Sequence, residues 1–189
     1  LSMITAIVFG MGLPTTVSYL LVVAVLAPVL SDLGVMPIAA HLFIFYFACL
    51  SGITPPVGLA AYTGANIAGS PPIRTAFLAS RLAIAAFILP FLFVFNNSLL
   101  MHGNWLNILL AFITATFGVI ALAAGLEGWL IGNLSIWKRV ILVAIAFLMI
   151  YPEWVTDLVG IFTFFGLMVF QKYFEKITNT RFIPHQGGK

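Results

Sequence analysis

Charged side chains are scarce in this sequence. Lys, Arg, Asp and Glu make up 7% of its 189 residues, whereas about a quarter of an ordinary soluble domain is charged. Residues 33–73 and 82–126 contain none of them, and each stretch exceeds the roughly 20 apolar residues that cross the hydrocarbon core of a bilayer. This scarcity excludes an ordinary soluble domain and predicts an all-α polytopic membrane protein set in a lipid bilayer.

Residues that could build a metal site or an acid–base pair are also few. The three histidines are scattered at positions 41, 102 and 185, and no pair of carboxylates lies at membrane depth. Both absences argue against a zinc site and against an intramembrane enzyme. Cys49 has no partner for a disulfide and is interpreted as a small buried residue. The basic residues form no patch with aromatics, so no nucleic-acid partner is expected.

Two apolar segments are interrupted by clusters of Gly, Thr and Pro. The first cluster covers residues 10–16 (GMGLPTT), and the second covers residues 51–58 (SGITPPVG). An unwound backbone at membrane depth survives only where protein, water or an ion satisfies its polar groups. Paired breaks of this kind are typical of ion or substrate sites in secondary transporters. The alternative is that Gly and Pro merely kink packed helices.

Both clusters offer hydroxyl and carbonyl oxygens, which suit a small cation such as Na⁺ without any carboxylate. The half-helix after the second cluster would also present its positive end to an anionic group of a substrate. Asn66 lies among small residues and either bonds between helices or contacts the substrate cavity. The residues predicted to form the Na⁺ or substrate site are Gly10, Gly12, Thr15, Thr16, Gly52, Ile53, Thr54, Pro55 and Pro56.

The first membrane region, 1–98, is predicted to form three elements. Residues 1–30 read as a re-entrant helical hairpin with arms of about nine and fourteen residues, each too short to cross a core of about 30 Å. A single kinked spanning helix is the alternative. A discontinuous transmembrane helix follows over 37–68, and a full span follows over 73–97. Because residues 1–9 already resemble the inside of a membrane helix, we expect the chain to begin within a larger protein.

Residues 99–173 are predicted to form an extra membrane region. It would contain one full span over 105–131 and two shorter helices between 140 and 170, joined by a tight turn at 151–153. Residues 174–189 are expected to form a tail. Basic residues fall in alternate connections and acidic residues in the others, which places the C-terminus in the cytoplasm and opens the hairpin from the outer face.

The two clusters resemble those of the large membrane subunit of tripartite ATP-independent periplasmic (TRAP) transporters. The resemblance is closest to the branch in which small and large membrane subunits are fused in one chain. It implies that GMGLPTT is a hairpin tip, and that Ile53, Thr54, Pro55 and Pro56 break the next helix. It further implies that these motifs hold one coupling Na⁺ and one wall of the substrate site. Pro14 stands where many stand-alone subunits have an acidic residue, so no carboxylate role is carried over.

The resemblance implies a fragment of a Na⁺-coupled permease in the bacterial inner membrane. The permease would import a small anionic solute, a carboxylate of the C4-dicarboxylate kind, which a periplasmic solute-binding protein delivers. A channel and a purely structural membrane domain are the alternatives. A structural domain would favour straight helices, whereas a channel is distinguished from a carrier only by saturation and counterflow.

Overall fold

The computed structural model describes residues 1–149 and 154–180, and the described residues form helices joined by turns and loops, without a β-strand. This confirms the predicted all-α class. Within this described part, three helices are long and apolar enough to cross a membrane, or four when the bent pair α5 and α6 is counted as one span. The α-helices are α1 (Ser2–Gly10), α2 (Thr15–Asp32), α3 (Pro37–Leu50), α4 (Leu59–Ala68), α5 (Pro72–Leu82), α6 (Ile84–Phe95), α7 (Trp105–Glu127), α8 (Ile136–Leu148) and α9 (Trp154–Thr180).

Helices α1 and α2 pack against each other as a hairpin whose turn is the first Gly/Thr/Pro cluster. The second arm is longer than predicted, because α2 continues through Pro28 to Asp32. Proline removes only one backbone donor from the helix, and the chain continues past it. The helix ends at Asp32, and in the turn after it Gly34 has a φ of +80° and donates its amide to the Ser31 carbonyl. With 18 residues, α2 qualifies as a membrane span by length and composition.

Helix α3 lies at the centre of the first compact unit, Leu1–Phe112, and packs against α1, α2 and α6. Its buried face includes Ile44 and Phe47, and the ring of Phe47 contacts the ring of Phe91 on α6. The face of α3 that carries Phe45 and Cys49 is exposed. Cys49 is therefore an exposed residue, and its interpretation as a buried one was wrong because it follows the outer face of the helix.

The predicted full span over 73–97 is bent in the structure. Helices α5 and α6 meet at Ala83 with an angle of 43° between them. Helix α5 packs on α4, whereas α6 packs on α3. The two halves of the broken helix thus have different partners, and the chain turns at Ala83 to reach both. Pro90, the residue that sequence alone marks as the kink, lies inside α6.

A second compact unit begins at Ile113. In it α7 ends at Glu127, short of the predicted end of this span at residue 131, and α8 follows after a short loop. Helix α9 continues to Thr180, beyond the predicted membrane region that ends at residue 173. The turn expected at 151–153 and the last part of the tail, 181–189, lie outside the described residues.

Arg139 fastens the end of α7 to the start of α8. Its Nε donates to the Gly125 carbonyl at 2.9 Å, and its Nη2 donates to the Leu126 carbonyl at 2.6 Å. We expect Arg139→Ala to lower the stability of the protein by about 1.5–3 kcal/mol, the range for hydrogen bonds from a charged donor. The adjacent Lys138→Ala, which removes a cation–π contact with Phe170, should cost less than about 1 kcal/mol. Equal melting temperatures for the two variants would contradict the assignment.

Candidate functional site

The tip of the hairpin is a short turn between α1 and α2. The amide of Met11 donates to the Val8 carbonyl, and that of Leu13 donates to the Gly10 carbonyl. Gly12 has a φ of +80°, a backbone conformation that glycine adopts without strain. Among the described residues, no backbone donor reaches the carbonyls of Met11, Gly12 or Leu13. The turn therefore exposes several acceptors next to one another.

The second break, Ser51–Gly58, satisfies much of its own backbone. The Gly52 carbonyl accepts from the amide of Ala60 at 2.9 Å, and the Thr54 carbonyl accepts from the amide of Gly58 at 3.0 Å. The Ile53 carbonyl accepts from the Ser80 hydroxyl of α5 at 3.1 Å. These contacts hold the loop in one shape. They also mean that the Gly52 and Ile53 carbonyls, predicted ion ligands, each have one protein donor already.

Two side chains within the broken helix complete the loop. The hydroxyl of Thr54 donates to the Leu50 carbonyl at 2.7 Å, and the hydroxyl of Tyr62 donates to the Pro56 carbonyl. Because the Thr54 proton points at Leu50, the lone pairs of its oxygen remain available to a cation. The Pro55–Pro56 peptide bond is cis.

The two breaks lie against each other. A methyl group placed on Gly10 would come within 2.7 Å of the Ser51 hydroxyl oxygen, and one on Gly12 would lie 3.6 Å from a methyl carbon of Val57. The hairpin tip is thus seated on the loop of the broken helix, although the two segments are far apart in the sequence. The contact requires glycine at position 10, since no larger side chain fits.

Two helices end at this contact. Helix α1 ends at Gly10 and α3 ends at Leu50, next to Ser51. The C-terminal end of a helix carries partial negative charge on its unpaired carbonyls, so the convergence of two such ends favours a cation. Ranges 1–31 and 33–73 contain no Lys, Arg, Asp or Glu. The two breaks themselves therefore offer a bound ion dipoles and no charged side chain.

The N-terminus of α2 provides the opposite polarity close by. Thr15 and Thr16 form its first turn and are exposed. No side chain caps this end, and no backbone acceptor is present for the amides of Thr15, Thr16 and Val17 among the described residues. Free amides and the positive end of a helix dipole suit an anionic group. At the start of α4, by contrast, the amide of Ala60 already donates to the Gly52 carbonyl.

The structure does not bring Asn66 to the breaks. Asn66 is exposed and lies in the last turn of α4, about 10 Å along the helix from its start at a rise of about 1.5 Å per residue. No hydrogen bond from its side chain is found within the described part of the chain. A substrate contact of Asn66 stays a prediction.

Sequence reasoning missed four residues around the breaks. Ser18 and Ser51 are buried next to Gly10, while Ser80 and Tyr62 donate to carbonyls of the second break. The sequence offered one sign of these residues. Ser18 is a polar residue one helical turn after Pro14 in an apolar helix. Within the described residues no group of three or more His, Cys, Asp or Glu could hold a metal ion.

Comparison with known families assigns the first part of the chain. The model of the family "Tripartite ATP-independent periplasmic transporter, DctM component" matches residues 1–108, more than half of the chain. The chain belongs to the DctM family. Its resemblance to TRAP permeases is therefore confirmed, and the protein is a multi-pass membrane component of a transporter family rather than of an enzyme family.

The DctM match covers both breaks and ends within α7. Residues 108–163 match a different model, "Domain of unknown function (DUF3394)". No curated protein and no solved structure matches the chain. The family relationship therefore rests on the range 1–108, which contains the hairpin and the broken helix.

Proposed function

We propose that this chain forms part of the ion and substrate site of a Na⁺-coupled permease that imports a small anionic solute. The observation that carries the proposal is the contact between the two breaks at Gly10 and Ser51. Discontinuous helices that meet in this way bind coupling ions at their C-terminal ends and anions at their N-terminal ends. Here both kinds of helix end occur within one contact region.

The cation would bind where α1 and α3 end. The candidate ligands are the Thr54 hydroxyl oxygen and the carbonyls at the hairpin tip that have no backbone donor. Na⁺ is favoured over a divalent ion because no carboxylate lies in residues 33–73 to offset a second charge. Thr15, Thr16 and the free amides of α2 would bind the carboxylate of the solute instead.

The family and the charges support the remaining partners and the orientation in this proposal. A periplasmic solute-binding protein would deliver the solute, and the permease would lie in the bacterial inner membrane. Basic residues at 74 and 81 lie in the first and last turns of α5, those at 138 and 139 lie near the start of α8, and those at 172 and 176 lie in the last part of α9; this clustering near helix ends supports a cytoplasmic C-terminus. The hairpin would then open from the periplasmic side, where the binding protein docks.

Uptake by the permease that contains this chain, reconstituted in proteoliposomes, tests the proposal. Labelled C4-dicarboxylate should accumulate only with an inward Na⁺ gradient and with the binding protein present. Replacing Na⁺ by K⁺ should reduce the initial rate at least tenfold. Uptake that is indifferent to Na⁺ would contradict the ion assignment.

The same vesicles separate a carrier from a channel. A carrier saturates with solute, and unlabelled solute loaded inside drives counterflow of labelled solute inward. A channel shows neither property. A flux that rises linearly with solute and lacks counterflow would favour the channel.

A further inference from the structure

Helix α9 carries an open apolar groove on its outer face. The groove has a volume of about 560 Å³, within the range of about 300–1,000 Å³ that is usual for ligand sites. Its floor is open, because a methyl group placed on Gly166 would meet no other atom of the described residues within 4 Å. One wall is held in place, since the Phe165 ring contacts the ring of Phe117 on α7 with 5.3 Å between their centres. The lining residues form one stripe of the helix and are Phe162, Phe165, Gly166, Val169 and Phe170.

Two lysines lie at the end of the groove where α9 leaves the membrane. The apolar window of α9 ends at Lys172, which comes three residues after Val169 and therefore lies on the same stripe. Lys138 of α8 reaches the groove from the neighbouring helix, since its Nζ lies 5.3 Å from the centre of the Phe170 ring. Lys172 is exposed, and Lys138 is partly exposed. One end of an otherwise apolar groove is thus positively charged.

The other charges near this end cancel in pairs. Glu127 ends α7, and Arg139 donates to the carbonyls of the last turn of that helix. Glu175 and Lys176 follow one another in the sequence. The two lysines beside the groove therefore supply the net positive charge of this end.

An apolar groove with cations at one end fits an anionic phospholipid better than another helix. The groove runs about 12 Å along α9 from Phe162 to Phe170, at a rise of about 1.5 Å per residue, and so offers a linear path to an acyl chain. Membrane helices that pack together usually meet through small residues, whereas three of the five lining residues are phenylalanines. Basic pockets beside membrane helices bind anionic lipid headgroups.

We propose that an anionic phospholipid binds to the second unit, with one acyl chain in the groove of α9 and its phosphate between Lys138 and Lys172. A zwitterionic lipid should bind more weakly, because its headgroup carries a positive charge of its own. Since Lys138 belongs to α8 and the groove to α9, the lipid joins the two helices at the membrane surface. The site lies apart from the two breaks in the sequence and does not depend on the proposed Na⁺ coupling.

Photocrosslinking tests the proposal on the purified permease that contains this chain, in a nonionic detergent. The probe is phosphatidylglycerol with a diazirine in one acyl chain. We expect it to label residues 162–170, and we expect unlabelled phosphatidylglycerol to displace it at a concentration at least tenfold lower than phosphatidylcholine does. Equal displacement by the two lipids would mean unselective lipid contact and would overturn the proposal. Absence of label from residues 162–170 would show that another part of the permease covers the groove, and would overturn it as well.

Charge variants test the headgroup contact. Lys138→Gln combined with Lys172→Gln should reduce the preference for phosphatidylglycerol to less than twofold, whereas Lys138→Arg combined with Lys172→Arg should keep it. Arg74→Gln, which removes an exposed positive charge from α5, is the matched control and should keep the wild-type preference. If the double glutamine variant does not fold, Lys138→Gln alone should lower the preference at least threefold. An unchanged preference in the glutamine variants would overturn the headgroup assignment.

Gly166→Leu tests the groove itself. Leucine fits there without a clash and fills the floor, so labelling of residues 162–170 should fall at least fivefold. Gly64→Leu makes the same change at another exposed helical glycine with open space around it, and it should be labelled like the wild type. Equal labelling of the two leucine variants would contradict binding of an acyl chain in the groove.

Discussion

Replacing Gly10 by alanine should strongly reduce solute uptake, with the largest effect of any single methyl group in the hairpin. The added carbon would lie 2.7 Å from the Ser18 and Ser51 oxygens and 3.0 Å from the Ser51 Cβ. Rotation of the hydroxyls relieves the two oxygen contacts, but the Ser51 Cβ is fixed to the backbone of the loop and stays close. Overpacking of this kind costs about 1–3 kcal/mol, and the tip must lift from the loop to relieve it. We expect initial uptake rates to fall more than tenfold.

Gly64→Ala is the matched control for this change. Gly64 lies inside α4 with no atom within 4 Å of an added methyl group, and alanine is the better helix former. Its uptake should equal that of the wild type. The triple variant G10A/S18A/S51G removes the three close atoms and should restore the melting temperature. Wild-type uptake by Gly10→Ala alone would show that the tip does not need to seat on the broken helix.

Replacing Thr54 by valine should raise the Na⁺ concentration that half-activates uptake by about ten- to a hundredfold. Valine has nearly the shape of threonine, so packing is retained and the lost group is the hydroxyl. A contact to a charged group contributes about 1.5–3 kcal/mol, and a difference of about 1.4 kcal/mol is a factor of ten. The half-activating concentration is read from initial uptake rates at increasing Na⁺ with saturating binding protein.

Thr63→Val provides the control for the helix effect of the same substitution. The Thr63 hydroxyl donates to the Leu59 carbonyl one turn earlier, as that of Thr54 donates to Leu50. Thr63 lies on the exposed side of α4, away from the break. Equal shifts of the half-activating Na⁺ concentration in both variants would mean that the backbone contact matters and the ion contact does not.

The sequence indicated where the first helices break because these signals are local. The Gly/Pro clusters stop helices wherever they occur, so the breaks after Gly10 and after Leu50 could be predicted closely. The bend at Ala83 could not, because nothing in the sequence near Ala83 interrupts a helix. It arises from packing, since α5 and α6 contact different halves of the broken helix.

The candidate site, too, could be predicted from the sequence only in part. Residue types and spacing predicted an oxygen-rich ion site in a transporter, and the DctM match confirms the transporter family. The prediction also included Gly52 and Ile53 as ion ligands, but the carbonyls of both residues already accept a hydrogen bond from the protein. The prediction did not include Ser18 and Ser51. A serine in an apolar helix gives the same sequence pattern whether its hydroxyl bonds its own backbone or faces a distant loop.

By itself, the sequence determined an all-α membrane protein with two broken helices. Scarcity of charge and the interruption of helices by Gly and Pro both depend only on short stretches of chain. Only the tertiary structure decided that the two breaks touch at Gly10 and Ser51, and that a partnerless Ser18 hydroxyl lies beside that contact. The reason is physical: burial and hydrogen-bond satisfaction depend on which distant segments pack together. Here that packing is set by the central position of α3 between the hairpin and α6.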